Sequence, residues 1–232
     1  MIKGVVFDLD HTLYDRYATY DRIIPEVIRQ LRGFFSPTLT NEQIAWAIKE
    51  YDRRYIHYEW EILIRHMAED GICIKPADWR DYQNLIRQEM TRVAVPYPFA
   101  IPALEELRRD GLKLGLITNG ASAIQRPKLR MLGLEDRFDA VIVSGELGVD
   151  KPDRAPFDAM ADMLKLKSGE LLYVGDNPLN DVEGARRAGY VPVWIRTMGF
   201  WTMPEICPPE LAADTVAEIP ALVRERNRGK SE

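Results

Sequence analysis

Asp8 and Asp10 stand two residues apart, directly after the apolar run Val5-Val6-Phe7, and are followed by His11 and Thr12. A second apolar run ends in Thr118-Asn119-Gly120, and Asp150-Lys151-Pro152 comes shortly after a third. A fourth ends in Gly175-Asp176-Asn177, with Asp181 just beyond. Carboxylates brought together repel one another unless a cation joins them, and a hard, oxygen-rich set suits Mg²⁺. No His/Cys grouping near these residues favours zinc. A lysine and a threonine hydroxyl beside such a cation suit a phosphate, the first by charge and the second by a hydrogen bond. A carboxylate free to attack phosphorus completes the set, because an aspartyl-phosphate splits one difficult displacement into two easier ones.

These groups act together only if the fold delivers them to one place. The runs around Val5–Phe7, Lys113–Thr118, Phe138–Ser144, Leu171–Gly175 and Val191–Ile195 are continuously apolar, as strands buried on both faces of a parallel sheet require. Helical spacing fills the stretches between them, at Ile101–Arg109, Ser122–Leu132, Arg154–Leu166 and Leu179–Ala188, and several of these end near a glycine. Alternating strands and helices predict right-handed crossovers and an open parallel sheet, in which ligands bind at the carboxyl ends of the strands. Taken alone, each motif is ordinary. Asp8-x-Asp10 reads as a turn, Thr118-Asn119-Gly120 as a strand end, Lys151-Pro152 as surface loop, and Asp176 with Asp181 as a helix start. Their succession on four strand ends sets the bland readings aside.

From about Asp15 to Ala94 the texture is purely helical. Ile23, Ile24, Val27, Ile28 and Leu31 form one stripe, and Thr40-Asn41-Glu42-Gln43 matches a capping box before Ile44, Ala47 and Ile48. About four helices are predicted, inserted after the first strand. The return, Val95 to Pro102, is rich in proline and stiff. The expected organisation is therefore an α/β, Rossmann-like parallel core of about five strands, residues 1–14 and 95–232, with a helical-bundle cap over 15–94.

The bulk properties agree with that scheme. The chain has 232 residues, 46% of them hydrophobic and 29% charged, with net charge −5, so no general attraction to nucleic acid polymer or anionic membrane is expected. Two distant cysteines, Cys73 and Cys207, predict neither a disulfide scaffold nor a zinc site. No stretch approaches the ~18–20 apolar residues of a membrane span. A cytoplasmic monomer or homodimer acting on a small-molecule phosphate ester is the expectation.

Phe7-Asp8-Leu9-Asp10-His11-Thr12-Leu13 resembles the first motif of the haloacid dehalogenase superfamily, DxDx[TV]. Thr118-Asn119-Gly120 resembles the second, Lys151-Pro152-Asp153 the third, and Gly175-Asp176-Asn177 through Asp181 the fourth, GDxxxxD. The helical insert resembles the small cap of the subfamily that contains phosphoglycolate phosphatases and many nucleotidases. Gln125 and Lys128-Leu129 after the second motif resemble pyrimidine nucleotidases and acylneuraminate phosphatases. The resemblance implies a phosphomonoester hydrolase acting on a small phosphorylated metabolite, a nucleotide or sugar phosphate being examples. It also implies roles. Asp8 attacks phosphorus, and Asp10 protonates the leaving oxygen and then activates water. Thr118 and Asn119 position phosphoryl oxygens. Lys151 bridges the phosphoryl group and Asp8. Asp176 holds Mg²⁺ together with Asp8 and the main-chain carbonyl of Asp10, and Asp181 orients a metal-bound water or Lys151. Two departures concern local geometry: Phe99 stands where glycine is common, and Pro127 falls inside a predicted helix, which it should kink or delay.

A 2-haloacid dehalogenase shares the fold but attacks carbon, and Asp10 and the acidic fourth motif speak against it. A phosphomutase keeps every motif and differs in its acceptor. A non-enzymatic binding protein would have lost the nucleophile or a metal ligand. His11 reads as a neighbour of the site. Trp46, Tyr51, Tyr55, Tyr58, Trp60, Trp79 and Tyr82 read mainly as cap core. Arg53, Arg54 and His57 read either as recognising a second charge on the substrate or as a solvated face. The tail from Arg224 to Glu232 is expected to fray.

Overall fold

The computed structural model describes residues 1–55, 58–196 and 199–229. The chain divides into two compact units, Met1–Asp15 with Val95–Glu232, and Arg16–Ala94.

The first strand, β1 (Gly4–Phe7), leads into the second unit. That unit contains α1 (Arg16–Leu31), α2 (Asn41–Arg54), α3 (Trp60–Glu69) and α4 (Trp79–Val93). The Thr40 hydroxyl accepts from the Gln43 main chain while the Gln43 side chain accepts from Thr40 N, so the capping box of α2 is complete. Ile23, Ile24, Val27 and Ile28 pack with Ile44, Ala47, Ile48, Ile64, Met67 and Ile86 into one core. Tyr51 and Tyr82 belong to that core, and Tyr55, Trp60 and Trp79 flank it. Trp46 (60% exposed) and Tyr58 (54%) instead face solvent, so most but not all of the seven aromatics pack in this core. Helical hydrophobicity does not distinguish the inner face of α2 from a single aromatic outside it. Arg53 and Arg54 are exposed, the latter paired to Glu50, which is the solvated-face reading. His57 lies outside the described residues.

The larger unit continues with α5 (Ala100–Arg109), β2 (Lys113–Thr118), α6 (Ser122–Met131), β3 (Ala140–Val143), α7 (Ser144–Leu147), α8 (Ala155–Leu164) and β4 (Leu171–Gly175). A π-helical turn (Pro178–Glu183) then leads into α9 (Gly184–Arg187), followed by β5 (Val191–Ile195), β6 (Leu211–Ala213) and α10 (Ile219–Arg228). The six strands are all parallel in the order β3-β2-β1-β4-β5-β6. The central strand β1 is buried along its whole length, which accounts for its unbroken apolar sequence. The sixth strand exceeds the expected five because β6 has only three residues, too few to carry a period.

Three local expectations change. Helix α6 runs through Pro127 without interruption. Phe99 opens α5 with φ −92° and stacks on Tyr97, ring centres 5.2 Å apart, so no left-handed glycine is required there. The tail is anchored as far as α10. Asn227 exchanges hydrogen bonds with the main chain of Ile2, and Arg224 pairs with Asp110 and Glu106. Residues 230–232 lie outside the described residues. No described helix is long and apolar enough to cross a membrane.

Candidate active site

Parallel pairing of β2, β1 and β4 ends three neighbouring strands at one edge, and Thr118, Asp8 and Asp176 follow from that register. Lys151 arrives from the loop after α7. Its main chain is clamped by Asn119, whose side-chain oxygen accepts from Lys151 N and whose amide donates to Lys151 O, both at 2.9 Å. The lysine ammonium is 3% exposed. It donates to Asp8 Oδ1, Asp181 Oδ1 and Tyr173 Oη, each at 2.7 Å, with Ile117 O at 3.1 Å. An ammonium has three protons, so four oxygens compete for them.

The fourth strand end is shaped around Asp181. In the π-turn, Asn177 Oδ1 accepts from Leu179 N and Asn180 N, and Asp181 Oδ2 accepts from Asn177 N at 3.0 Å. These reciprocal caps aim the Asp181 carboxylate back over β4. A Cβ on Gly175 would stand 2.4 Å from that carboxylate, so the approach is open only to glycine. Trp194 Nε1 donates to Asp176 O at 3.2 Å and fixes the other side of the turn. After Asp10 the chain reverses through His11, which takes the left-handed conformation (φ 61°), one that histidine adopts more readily than most residues.

Carboxylate oxygens of Asp8, Asp176 and Asp181 lie within 4.8 Å of one another, and all three residues are buried. Burial pushes the Asp8 carboxyl up to about 7, against the pull of Lys151 beside it. Burial likewise holds Asp176 well above the usual carboxylate range, with Asp181 and Asp8 adding to it. For Lys151 burial alone would lower the value, but Asp181 and Asp8 outweigh it and keep the ammonium charged. Asp176 Oδ2 is buried and meets no hydrogen-bond partner among the described residues. An oxygen-only cluster with an unpartnered buried carboxylate oxygen fits a hard divalent cation such as Mg²⁺.

The structure therefore gathers Asp8, Asp176, Asp181 and Lys151 around one centre. Asp10 and Thr118 are linked beside it through Gln125, whose amide nitrogen donates to Thr118 Oγ1 (2.5 Å) and Asp10 Oδ2 (3.0 Å). Because Thr118 accepts this bond, its own proton remains for an incoming oxygen. Both ends of the Asn119 amide hold the Lys151 main chain, so its side chain places the lysine. Tyr173, Gln125 and Lys128 receive no site role from the sequence reading. A single phenol within the otherwise aliphatic β4 was the available signal for Tyr173.

A sequence profile for haloacid dehalogenase-like hydrolases matches residues 2–189, and the chain belongs to that family. It is 46% identical to a phosphoserine phosphatase of Thermus thermophilus over 84% of this chain and 88% of the relative. It is 32% identical to a glyceraldehyde 3-phosphate phosphatase of Methanopyrus kandleri over 97% and 98% of the two chains. Among solved structures, the HAD-hydrolase YfnB of Bacillus subtilis superposes with a TM-score of 0.72 at 20% identity, covering 96% of this chain and 98% of its own.

Proposed function

We propose that this protein is a Mg²⁺-dependent phosphomonoester hydrolase that works through an aspartyl-phosphate on Asp8. The observation that carries the reading is the Lys151 ammonium placed against Asp8 Oδ1, beside a carboxylate cluster that leaves one Asp176 oxygen unpartnered. The two curated relatives act on phosphate monoesters of three-carbon compounds, and a small phosphorylated metabolite of that kind is the proposed substrate class.

Asp8 and Asp176 would hold the cation, with the main-chain carbonyl of Asp10 as the ligand implied by the resemblance. When bound, Mg²⁺ supplies the positive charge that lets a phosphate dianion approach ionised carboxylates. Lys151 orients Asp8 through Oδ1 and would offer its charge to the phosphoryl group. Asp8 attacks phosphorus as the ester bond breaks, and the leaving oxygen takes its proton from Asp10. Thr118 donates its hydroxyl proton to a phosphoryl oxygen. Asp10, now a carboxylate, removes a proton from the water that attacks the aspartyl-phosphate, which frees Asp8 and inorganic phosphate. Asp181 holds Lys151 in place throughout. A dehalogenase attacking carbon has no use for an acid at Asp10, yet here Asp10 is tied to Thr118 by a buried glutamine. The test is phosphate release from phosphoserine, glyceraldehyde 3-phosphate, sugar phosphates and nucleoside monophosphates. Release with Mg²⁺ that stops with chelator supports the reading, and no release from any ester, including an aryl phosphate, rejects it.

A further inference from the structure

Lys128 lies on α6, away from the strand ends, yet its ammonium stands 2.7 Å from Oδ1 and 3.0 Å from Oδ2 of Asp10. Lysines on such helices ordinarily reach water, but this one is 4% exposed, and its ammonium is 5.1 Å from the centre of the Tyr14 ring. Gln125, three residues earlier and on the same face, is also buried and donates to Asp10, Thr118 and the Asn119 carbonyl from one amide nitrogen. Burying an ammonium destabilises a fold unless it is well paired. The proton transfers of Asp10 described so far give Lys128 no task.

We propose that Lys128 is a positioning residue for the proton transfers of Asp10. It rests on the aspartyl-phosphate reading and adds to it the group that orients the acid. The Asp10 side chain retains 27% exposure, and the last torsion of a carboxyl group is broad unless its partners narrow it. One ammonium bonded to both oxygens narrows that torsion, and Gln125 ties the same group to the Thr118 hydroxyl. In the first step the electrons of the ester P–O bond pass to the leaving oxygen, which takes the Asp10 proton. The carboxylate so formed is the anion that Lys128 pairs. In the second step water bonds to phosphorus and gives its proton to Asp10, and the bond from phosphorus to Asp8 breaks. Lys128 acts in both steps through Asp10 alone.

The experiment compares wild type, Lys128→Met, Lys128→Arg, Asp10→Asn and the Lys128→Met/Asp10→Asn double variant. Each is assayed with Mg²⁺ on 4-nitrophenyl phosphate and on glycerol phosphate, with acid-quench measurement of phosphoenzyme. Nitrophenolate departs without a proton, whereas an alkoxide needs one. Lys128→Met should therefore lose about 10–100-fold in kcat/KM on the alkyl ester, a part of what a general acid contributes, and clearly less on the aryl ester. It should accumulate phosphoenzyme from the aryl ester, and the double variant should be no slower than Asp10→Asn alone. Lys128→Arg keeps the charge and the fold if methionine does not, and should show the same difference between esters at smaller size. Equal losses on both esters without phosphoenzyme accumulation, or an additional loss in the double variant, would overturn the proposal and leave Lys128 a structural or substrate-binding cation. A wild type that forms no phosphoenzyme would overturn the underlying reading as well. Wild-type phosphorylation with equal losses in the Lys128 variants would overturn only the positioning role.

Discussion

The Nζ of Lys151 lies 2.7 Å from Asp8 Oδ1, although the two residues are 143 positions apart in the chain. Asp181 meets the same ammonium at the same distance, so two buried carboxylates share one cation. Removing it leaves those charges uncompensated. Lys151→Met should lower unfolding stability by about 3–5 kcal/mol at pH 8, as measured by urea denaturation without divalent cation. The loss should shrink at pH 5, where Asp8 can take up a proton. A loss independent of pH would show that the lysine supports packing rather than charge.

Divalent cation should stabilise the protein more at high pH than at low. Burial raises both Asp8, to about 7, and Asp176, so these carboxyls bind protons more tightly folded than unfolded. Without a cation the contribution of Asp8 to stability is fully present below the unfolded carboxyl range and is lost as pH rises through about 7, and that of Asp176, also raised, is lost in the same direction. Metal binding requires the ionised forms. The Tm increase produced by Mg²⁺ should be small at pH 5 and grow through pH 7 to 8, and Asp176→Asn should flatten that rise. An increase of equal size at pH 5 and pH 8 would argue against these residues as ligands.

Gly175 is a steric requirement of the site. A methyl group there would sit 2.4 Å from the Asp181 carboxylate, and the neighbouring atoms are held by the caps of the π-turn. Gly175→Ala should destabilise by about 1–3 kcal/mol, the range for overpacking, and lower kcat more than KM as Lys151 loses its anchor. Wild-type kinetics in this variant would show that the turn can shift without consequence.

Much of the larger unit was legible in the sequence because its central strands are buried on both faces. Lys113–Thr118, Leu171–Gly175 and Val191–Ile195 are both the apolar runs and the observed strands. The first, second and fourth motifs were legible for the same reason, since each sits where an apolar run stops, whereas Lys151 lies in the loop beyond α7. What stayed hidden depends on side-chain direction. That Lys128 and Gln125 reach Asp10 follows only from how α6 packs, and that the Asn119 amide holds the Lys151 main chain only from the path of the loop that carries the lysine. In the helical unit, no motif or spacing marks Asp52. It is 3% exposed and bonded by Arg16 and by the Tyr20 hydroxyl at 2.7 Å.

That buried pair yields a prediction for the helical unit. Arg16 meets Asp52 Oδ1 through Nη2 at 2.6 Å and both carboxylate oxygens through Nε. Arg16→Met strands the carboxylate, and about 3–5 kcal/mol of stability should be lost. Replacing both residues, Arg16→Met with Asp52→Leu, should recover much of it, as read by thermal denaturation. If the double variant is less stable than the single one, the pair is not the source of the loss.

The central claim is that Asp8 carries the phosphoryl group and Asp10 moves the protons. Rapid-quench labelling with a ³²P-aryl phosphate and Mg²⁺ tests it most directly. Wild type should show transient phosphoenzyme. Asp10→Asn should accumulate it in a burst followed by a turnover slower by roughly 10²–10⁴, the usual contribution of a general acid–base group. Asp8→Asn should show none. Acid-stable label on Asp8→Asn, or wild-type steady turnover in Asp10→Asn, would contradict the account.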